Sequence, residues 1–286
     1  MEQNFETVLE SKSSLINLNL KELWRYRDLI LLFVKRTFVA QYKQTVLGPA
    51  WAIIQPLFTT VIFTIVFGNL AGLSPSGVPT FAFYLSGSIL WTYFSTCLTA
   101  TSSTFVTNSA ILGKVYFPRM VMPVSTVMSQ FIAFAIQFFF FLCFWVYYLI
   151  RGENVHPNIW MAMTPVLLIH LAALSLGFGI IISSLTTKYR DLTMAIGFGV
   201  QLWMYATPVA YDVSIIPERF LSVYMLNPVT PIITMFRYAF LGVGKLYLTE
   251  YLISVAVTIV LLFVGLIMFN RVEKTFMDTV SAILSP

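Results

Sequence analysis

The chain has 286 residues, of which 58% are hydrophobic and only 10% are charged, and its mean hydropathy is +0.82. Soluble domains carry about 25% charged residues, so this composition argues against a soluble protein. The formal net charge of +5 could indicate nucleic-acid binding, but the positions of the basic residues explain it as a signal of membrane orientation. The spacing of the two cysteines supports neither a metal site nor a redox pair.

Long stretches without charge predict membrane spans. No Asp, Glu, Lys or Arg occurs between Lys43 and Lys114, a gap of 70 residues, and a helix needs about 20 apolar residues to cross the hydrocarbon core. Backbone groups in lipid must find partners within their own segment, so helices are expected. The sequence therefore predicts an all-α integral membrane protein, a single transmembrane domain over residues 1–286. Its six spans are expected at about 49–70, 80–104, 124–150, 159–185, 192–210 and 250–270.

Lys and Arg are unevenly distributed between the two sides of this arrangement. The N-terminal segment, the second and fourth loops and the tail hold 13 of the 17 basic residues, and the other loops hold four. Basic residues accumulate on the cytoplasmic side of membrane proteins. We therefore expect both termini in the cytoplasm.

Residues 20–36 have the pattern of an amphipathic helix. At about 100° per residue, one side collects Leu20, Leu23, Trp24, Ile30, Leu31 and Val34, and the other collects Lys21, Arg25, Asp28, Lys35 and Arg36. A helix of this kind lies in the membrane interface. It could serve as an anchor alone, or as a surface that meets lipid phosphates and transmits motion.

The second loop, at 105–123, is predicted to be cytoplasmic. Asn108 or Ser109 can cap a short helix, and the aromatic residues Tyr116 and Phe117 lie near Lys114 and Arg119. The segment is either an ordinary loop or an amphipathic helix that docks a cytoplasmic partner.

The segment before the last span, at 208–248, is apolar but interrupted by four prolines and by charged residues. The pattern favours one or two helices that enter the outer leaflet and turn back. Irregular backbone at that depth must be buried in protein or line a cavity, which predicts a gate. An additional span, which would place the C-terminus outside, is the alternative.

The sequence contains no recognisable catalytic site. GxxxxGK[ST], HExxH, GxSxG and Cys/His clusters are all missing, so we expect no catalytic residue, no metal site and no ATP hydrolysis by this chain itself. No span centre carries Asp, Glu, Lys or Arg, whereas proton-coupled pumps usually need such a residue inside the membrane as a relay. Energy for transport would therefore come from another subunit.

Amides and aromatic residues recur at helical spacing within the spans. Trp51, Gln55 and Phe58 share a face of span one, Gln130, Phe134 and Gln137 share a face of span three, and Gln201 and Tyr205 align in span five. Buried amides can hold helices together. Alternatively, aromatic rings with amides can line a path for sugar rings, which have apolar faces edged by hydroxyls.

Several stretches together resemble the membrane domain of polysaccharide ABC exporters, which export O-antigen, capsule and teichoic-acid chains. They are YKQTVLGPAWAIIQPL (42–57), FYLSGSILWTYFS (83–95), NSAILGKVYFPRMVMP (108–123), TTKYRDL (186–192), TPVAYDVSIIPERF (207–220), LNPVTPIITMFRYAFLG (226–242) and FNRVEKTFMDTV (269–280). Each is moderately specific alone. Their order and spacing over nearly the whole chain are highly specific.

The resemblance implies a permease in the bacterial cytoplasmic (inner) membrane. Two copies would form a channel, and two separate ATP-binding-cassette subunits, which bind ATP and Mg, would dock on the cytoplasmic face. The substrate would be a glycan on undecaprenyl diphosphate, and nucleic acid is not expected as a partner. An exporter of small hydrophobic drugs, a membrane-embedded transferase and a passive channel are the alternatives.

The same resemblance assigns roles to individual residues. The channel would be lined by Trp51, Gln55, Phe58, Gln201 and Tyr205. The lipid diphosphate would meet Arg25, Arg27, Lys35 and Arg36. The ATPase would be contacted by Asn108, Leu112, Lys114, Tyr116, Phe117 and Arg119. The external gate over 211–242 would include Tyr211, Ile216, Phe220, Phe236 and Tyr238.

Overall fold

The computed structural model describes residues 20–43, 45–73, 75, 77–108, 111, 117–186, 189 and 191–284, and the regular elements in these ranges are helices. The α-helices are α1 (Leu20–Arg25), α2 (Arg27–Tyr42), α3 (Trp51–Phe63), α4 (Thr80–Ser102), α5 (Thr104–Thr107), α6 (Val121–Ile150), α7 (Thr164–Thr186), α8 (Leu192–Tyr205), α9 (Glu218–Tyr224), α10 (Thr230–Leu241) and α11 (Leu248–Leu284). Short 3₁₀ turns span Gly48–Ala50, Ile159–Met163 and Val213–Ile215, and a π-helical stretch, Thr64–Leu70, extends α3. The predicted all-α class is confirmed.

Four helical segments are long and apolar enough to cross a membrane. They are Gly48–Leu70, Val121–Ile150, Ile159–Thr186 and Leu248–Arg271. These segments coincide with the first, third, fourth and sixth predicted spans. They agree because a charge-free apolar run of this length in lipid must form its backbone hydrogen bonds within its own segment, as a helix does.

The second predicted span corresponds to α4, which is long enough at 23 residues but less apolar than the other four. It packs against α3, α6, α7, α8 and α10, and most of its side chains are buried. Its serines therefore face protein, where their hydroxyls donate to carbonyls of their own helix, as Ser88 does to Tyr84 at 2.7 Å. Encirclement by other helices explains why α4 tolerates polar residues.

The fifth predicted span is shorter than expected. Helix α8 ends at Tyr205 rather than continuing to residue 210, and its 14 residues extend about 21 Å, less than the roughly 30 Å of a hydrocarbon core. Residues 206–210 form turns, and Thr207 to Ala210 are buried. The turn begins just before Pro208, whose missing N–H cannot continue a helix.

The predicted interface helix is split and longer than expected. It breaks at Tyr26 and continues to Tyr42 instead of ending at Arg36. Its apolar residues face two ways, since Ile30 is buried in protein while Trp24 and Leu31 are 70% and 56% exposed. A helix that packs along α6 must bury one stripe there and leaves the second for lipid.

Two clusters form the core. The larger surrounds α4 and includes α6, α7 and α10. The smaller lies where α2 meets the beginning of α6, which we call the α2 end, and contains Ile30, Phe33, Phe105, Phe117, Val121, Met122, Ile180 and Phe269. We call the opposite end, where α6 ends and α11 begins, the far end.

Candidate functional site: a cavity of amides and aromatic rings

A cavity of about 330 Å³ opens between α2, α3, α4 and α6. We call it the amide cavity, and its lining is Gln41, Tyr42, Trp51, Ala52, Gln55, Thr92, Tyr93, Thr96, Gln130, Ala133, Phe134 and Gln137. All of these side chains are uncharged at neutral pH. The cavity therefore combines hydrogen-bonding groups with aromatic faces and carries no formal charge.

The helical periods of α3 and α6 bring these side chains together. Trp51 and Gln55 are four residues apart, as are Gln130 and Phe134, so each pair shares a helix face. Across the cavity, the Phe134 ring packs on Tyr93 of α4 with centroids 5.1 Å apart. The sequence pattern predicted the faces, and the fold places the first-span and third-span faces on one cavity.

Gln137 combines the two roles that the sequence left open. Its Nε2 donates to the carbonyl of Ala52 at 3.0 Å, which fixes the amide orientation because a carbonyl only accepts. Its Oε1 is buried and has no hydrogen-bond partner among the described residues. A buried acceptor without a partner costs about 1–3 kcal/mol, and such groups in native proteins usually have a functional explanation.

The other predicted channel residues lie outside this cavity. Phe58 projects from the same helix as Trp51 and is 64% exposed. Gln201 and Tyr205 are exposed on α8, which packs against α4 and α7. Within one chain, the predicted channel residues thus form two exposed strips on separate helices.

The residues predicted to meet a lipid diphosphate are all exposed. Arg25 ends α1, and Arg27, Lys35 and Arg36 lie on α2. Arg27 lies 5.7 Å from the Trp24 ring centroid, and its Nε is 3.8 Å from Asp28. These basic groups are available at the surface of the α2 end.

The predicted ATPase-contact residues are partly described. Asn108 follows the end of α5, where its side-chain amide donates to the carbonyl of Thr104 at 3.0 Å, and its own carbonyl accepts from the N–H of Ile111 at 3.0 Å. Phe117 and Arg119 are buried. Leu112, Lys114 and Tyr116 lie outside the described residues. Phe117 packs on Phe33 of α2, with centroids 5.8 Å apart.

The predicted gate residues lie in three different environments. One joins α8 to α9 through hydrogen bonds, one is in the core, and the others are half-buried or exposed. Tyr211 donates to the Tyr205 carbonyl and shares a 2.9 Å hydrogen bond with Tyr224 of α9. Phe236 is wholly buried, and it packs among the rings of Phe138, Phe141 and Phe240. The remaining three differ in exposure: Ile216 and Tyr238 are half-buried, and Phe220 is exposed.

Arg237, on α10, is the functional candidate that the sequence analysis missed. It is one of the charged residues that interrupt the apolar segment 208–248, yet it is only 2% exposed. Its guanidinium donates to the carbonyls of Phe83 (3.3 Å), Pro208 (2.6 Å), Val209 (2.9 Å) and Tyr211 (3.3 Å) and, through Nε, to Ser86 Oγ (3.4 Å). It also lies 3.7 Å from the centroid of the Phe83 ring. One side chain thus joins α10, α4 and the turn after α8.

The space for this guanidinium depends on a glycine of α4. A Cβ at Gly87 would lie 2.5 Å from Nη2 of Arg237, closer than such atoms approach. The only signals of this arrangement in the sequence are a single basic residue within an apolar helix and a glycine within another.

The architecture defines the class of the protein, a multi-helix integral membrane protein with an uncharged internal cavity. Comparison of the sequence with known families matches residues 28–241 to the ABC-2 type transporter family. The chain belongs to this family.

Relatives cover nearly the full length of the chain. An O-antigen export system permease protein RfbA of Klebsiella pneumoniae is 28% identical over 88% of this chain and 94% of its own length. A protein of the same description in Myxococcus xanthus is 26% identical over 91% of this chain and 98% of its own length. The similarity is therefore not confined to one segment.

Proposed function

We propose that this chain is the permease subunit of an ATP-driven exporter that moves a lipid-linked polysaccharide of the O-antigen type across the bacterial cytoplasmic membrane. The observation that carries the proposal is the amide cavity in a member of the ABC-2 family. Sugar rings present apolar faces and hydroxyl edges, which aromatic rings and amides match. An uncharged lining also binds sugars loosely enough to let a long chain advance.

The proposed topology has six spans and two re-entrant helices. Helix α4 would cross the membrane inside a ring of other helices, which removes the need for an apolar surface. Helix α8 would cross together with its buried turn. Helices α9 and α10 would enter from outside at the far end, as supported by the burial of nearly all of α10. Both termini would then be cytoplasmic.

A second copy of the chain would complete the channel. The exposed strips on α3 and α8 hold Trp51, Phe58 and Tyr205, which are large aromatic residues with more than half of their surface exposed. If α3 of one copy faced α8 of the other, the two strips would form opposite walls of one path. This arrangement accounts for channel residues that one chain alone keeps apart.

Two ATP-binding-cassette subunits, with ATP and Mg, would supply the energy at the α2 end. Contacts there support a mechanical role for the second loop. Phe117 at one end of the loop packs on Phe33 of α2, and Phe105 at the other end stacks on Phe269 of α11 with centroids 4.6 Å apart. A movement of the loop would therefore reach both helices.

The lipid carrier is proposed to be undecaprenyl diphosphate. Its diphosphate would meet Arg25, Arg27, Lys35 and Arg36 at the α2 end, where exposed basic side chains attract anionic head groups. The amide cavity borders the same helix through Gln41 and Tyr42. A carrier bound at the head-group level could thus present its first sugars to the cavity.

The test measures ATP hydrolysis and export separately. The chain purified alone should not hydrolyse ATP, and the chain with its neighbouring ATP-binding subunit should. Scrambling residues 112–119 should abolish stimulated hydrolysis and surface glycan while leaving the amount of chain in the membrane unchanged. Failure of the ATP-binding subunit to bind would overturn the proposal. The composition of glycan retained inside deletion cells would distinguish O-antigen from capsule and teichoic acid.

A further inference from the structure

A second cavity, of about 580 Å³, lies at the far end of the bundle. Its wall is built from four loops and from α9 and α10, and its polar side chains include Asn154, His156, Asp212, Glu218, Arg237 and Lys245. We call it the far-end cavity. Its volume falls within the range of small-molecule sites, about 300–1,000 Å³.

Several of these side chains are available to a ligand. Among the described residues, the side chains of Asn154, Glu218 and Lys245 have no hydrogen-bond or ion-pair partner. An amide, a carboxylate and an ammonium group supply both donors and acceptors. Since they come from three different segments, the fold is what brings them to one cavity.

The chemistry of the lining narrows the class of ligand. The two acidic residues, Asp212 and Glu218, are balanced by the two basic residues, Arg237 and Lys245, so neither an anion nor a cation is favoured. No group of three His, Cys, Asp or Glu side chains within the described ranges could hold a metal ion. A neutral molecule with many hydroxyls, which both donates and accepts, satisfies such a lining best.

The wall of the cavity is fixed in place by close contacts. Gly242 has φ of +71°, and a Cβ there would lie 2.8 Å from Cβ of His156, so the two loops approach as only glycine allows. On the other side, Arg237 binds the turn after α8 through carbonyls, including that of Val209 at 2.9 Å. The cavity is therefore a preformed feature of the fold.

We propose that the far-end cavity is a second carbohydrate site, which binds sugar units of the glycan after they leave the membrane path. This inference rests on the proposed function for the source of the glycan. The amide cavity is uncharged and the far-end cavity is charged but balanced, so the two sites would bind the same chain with different strength. Ionic hydrogen bonds at the exit would retain the emerging chain against backward movement.

The experiment uses the full chain in nanodiscs and measures oligosaccharide binding by saturation-transfer NMR and calorimetry. The probe is the set of oligosaccharides released by mild acid from the lipid-linked glycan of cells that encode the chain. Glu218→Gln and Lys245→Met should each weaken binding about fivefold to tenfold, because each removes a charged hydrogen-bonding group. The matched controls are Glu250→Gln and Arg219→Ala, which alter nearby charges that do not line the cavity and should leave binding unchanged.

A second pair of variants separates the two sites. Trp51→Ala and Gln55→Ala alter the amide cavity. In these variants, Glu218→Gln should still weaken oligosaccharide binding as much as it does in the wild-type chain. Surface glycan, measured in the same strains, tests the proposed function independently. If the wild-type chain exports glycan but its oligosaccharide binding is absent, or is insensitive to both far-end variants, the far-end site is refuted while the exporter stands. If the wild-type chain exports no glycan, the proposed function fails.

Discussion

The two ends of the bundle differ in one contact, because a buried guanidinium at the far end adds directed hydrogen bonds to the ring packing that both ends share. At the α2 end, aromatic rings join the second loop to α2 and α11, as in the stacked pair Phe105 and Phe269. At the far end, Arg237 joins α10 to α4 and to the turn after α8 through directed hydrogen bonds. Aromatic rings can pack in more than one favourable geometry, offset-stacked or edge-to-face, whereas a guanidinium fork requires its acceptors at fixed positions.

This difference suggests a division of labour along the molecule. Contacts between rings can adjust as a loop moves, which suits the end where an energy-supplying subunit would bind. Hydrogen bonds to buried carbonyls stabilise the fold much less when an acceptor moves. They therefore suit a rigid part of the structure at the exit, which we call the Arg237 frame. Substitutions at the two ends should therefore differ in how sharply they depend on side-chain geometry.

The largest effect is expected from Arg237→Met. The substitution leaves buried carbonyls, including those of Pro208 and Val209, without donors, and should lower the free energy of unfolding by about 3 kcal/mol or more. Thermal unfolding in detergent measures it. Arg237→Lys keeps the charge but not the fork, and should recover less than half of the loss. A Met variant as stable as wild type would contradict the inference that the hydrogen bonds of Arg237 hold α10, α4 and the turn after α8 together.

The next effect concerns the space that the guanidinium occupies. Gly87→Ala places a Cβ 2.5 Å from Nη2 of Arg237, and crowding of this kind costs about 1–3 kcal/mol. The matched control is Gly199→Ala on α8, where a Cβ meets nothing within 4 Å and the higher helix propensity of alanine should be neutral or stabilising. Equal unfolding temperatures for both variants would count against the close fit around Arg237.

A smaller effect is expected from Phe117→Leu at the α2 end. Leucine keeps most of the apolar volume that faces Phe33, so the loss of stability should stay below about 1.5 kcal/mol. Stimulated ATP hydrolysis should survive, and the ratio of export to hydrolysis should fall by no more than about half, because packing without a required orientation can readjust. Both the rate of ATP hydrolysis and the rate of export are measured in reconstituted vesicles. Loss of hydrolysis with an intact fold would show that the α2 end is as sensitive to side-chain geometry as the far end.

The sequence predicts the apolar helices well and their surroundings poorly. Spans such as Val121–Ile150 follow from local composition, because lipid imposes the same requirement on every residue of a span. Whether α4 is surrounded by protein depends on helices far away in the sequence, so its lower apolarity could not be interpreted in advance. The early end of α8 depends on a single proline and the turn that follows.

For the candidate site, spacing predicts a face but not what that face meets. The faces of Trp51 with Gln55 and of Gln130 with Gln137 were readable from the periodicity, whereas their meeting on one cavity is a tertiary result. Arg237 was misassigned for a similar reason. Its acceptors include Phe83, which precedes it by 154 residues, and a lone arginine among apolar residues resembles an interruption of a span.

The smallest effect on stability, and the most informative for function, is expected at Gln137. Gln137→Met keeps the side-chain length, removes the hydrogen bond to the Ala52 carbonyl and also removes the buried Oε1 that lacks a partner among the described residues. These changes oppose each other, so the unfolding free energy should change by less than about 1 kcal/mol. Export should nevertheless fall severalfold if this amide contacts sugar. Phe139→Leu, on an exposed side of the same helix, is the control, and equal export by the two variants would reduce Gln137 to a link between α6 and α3.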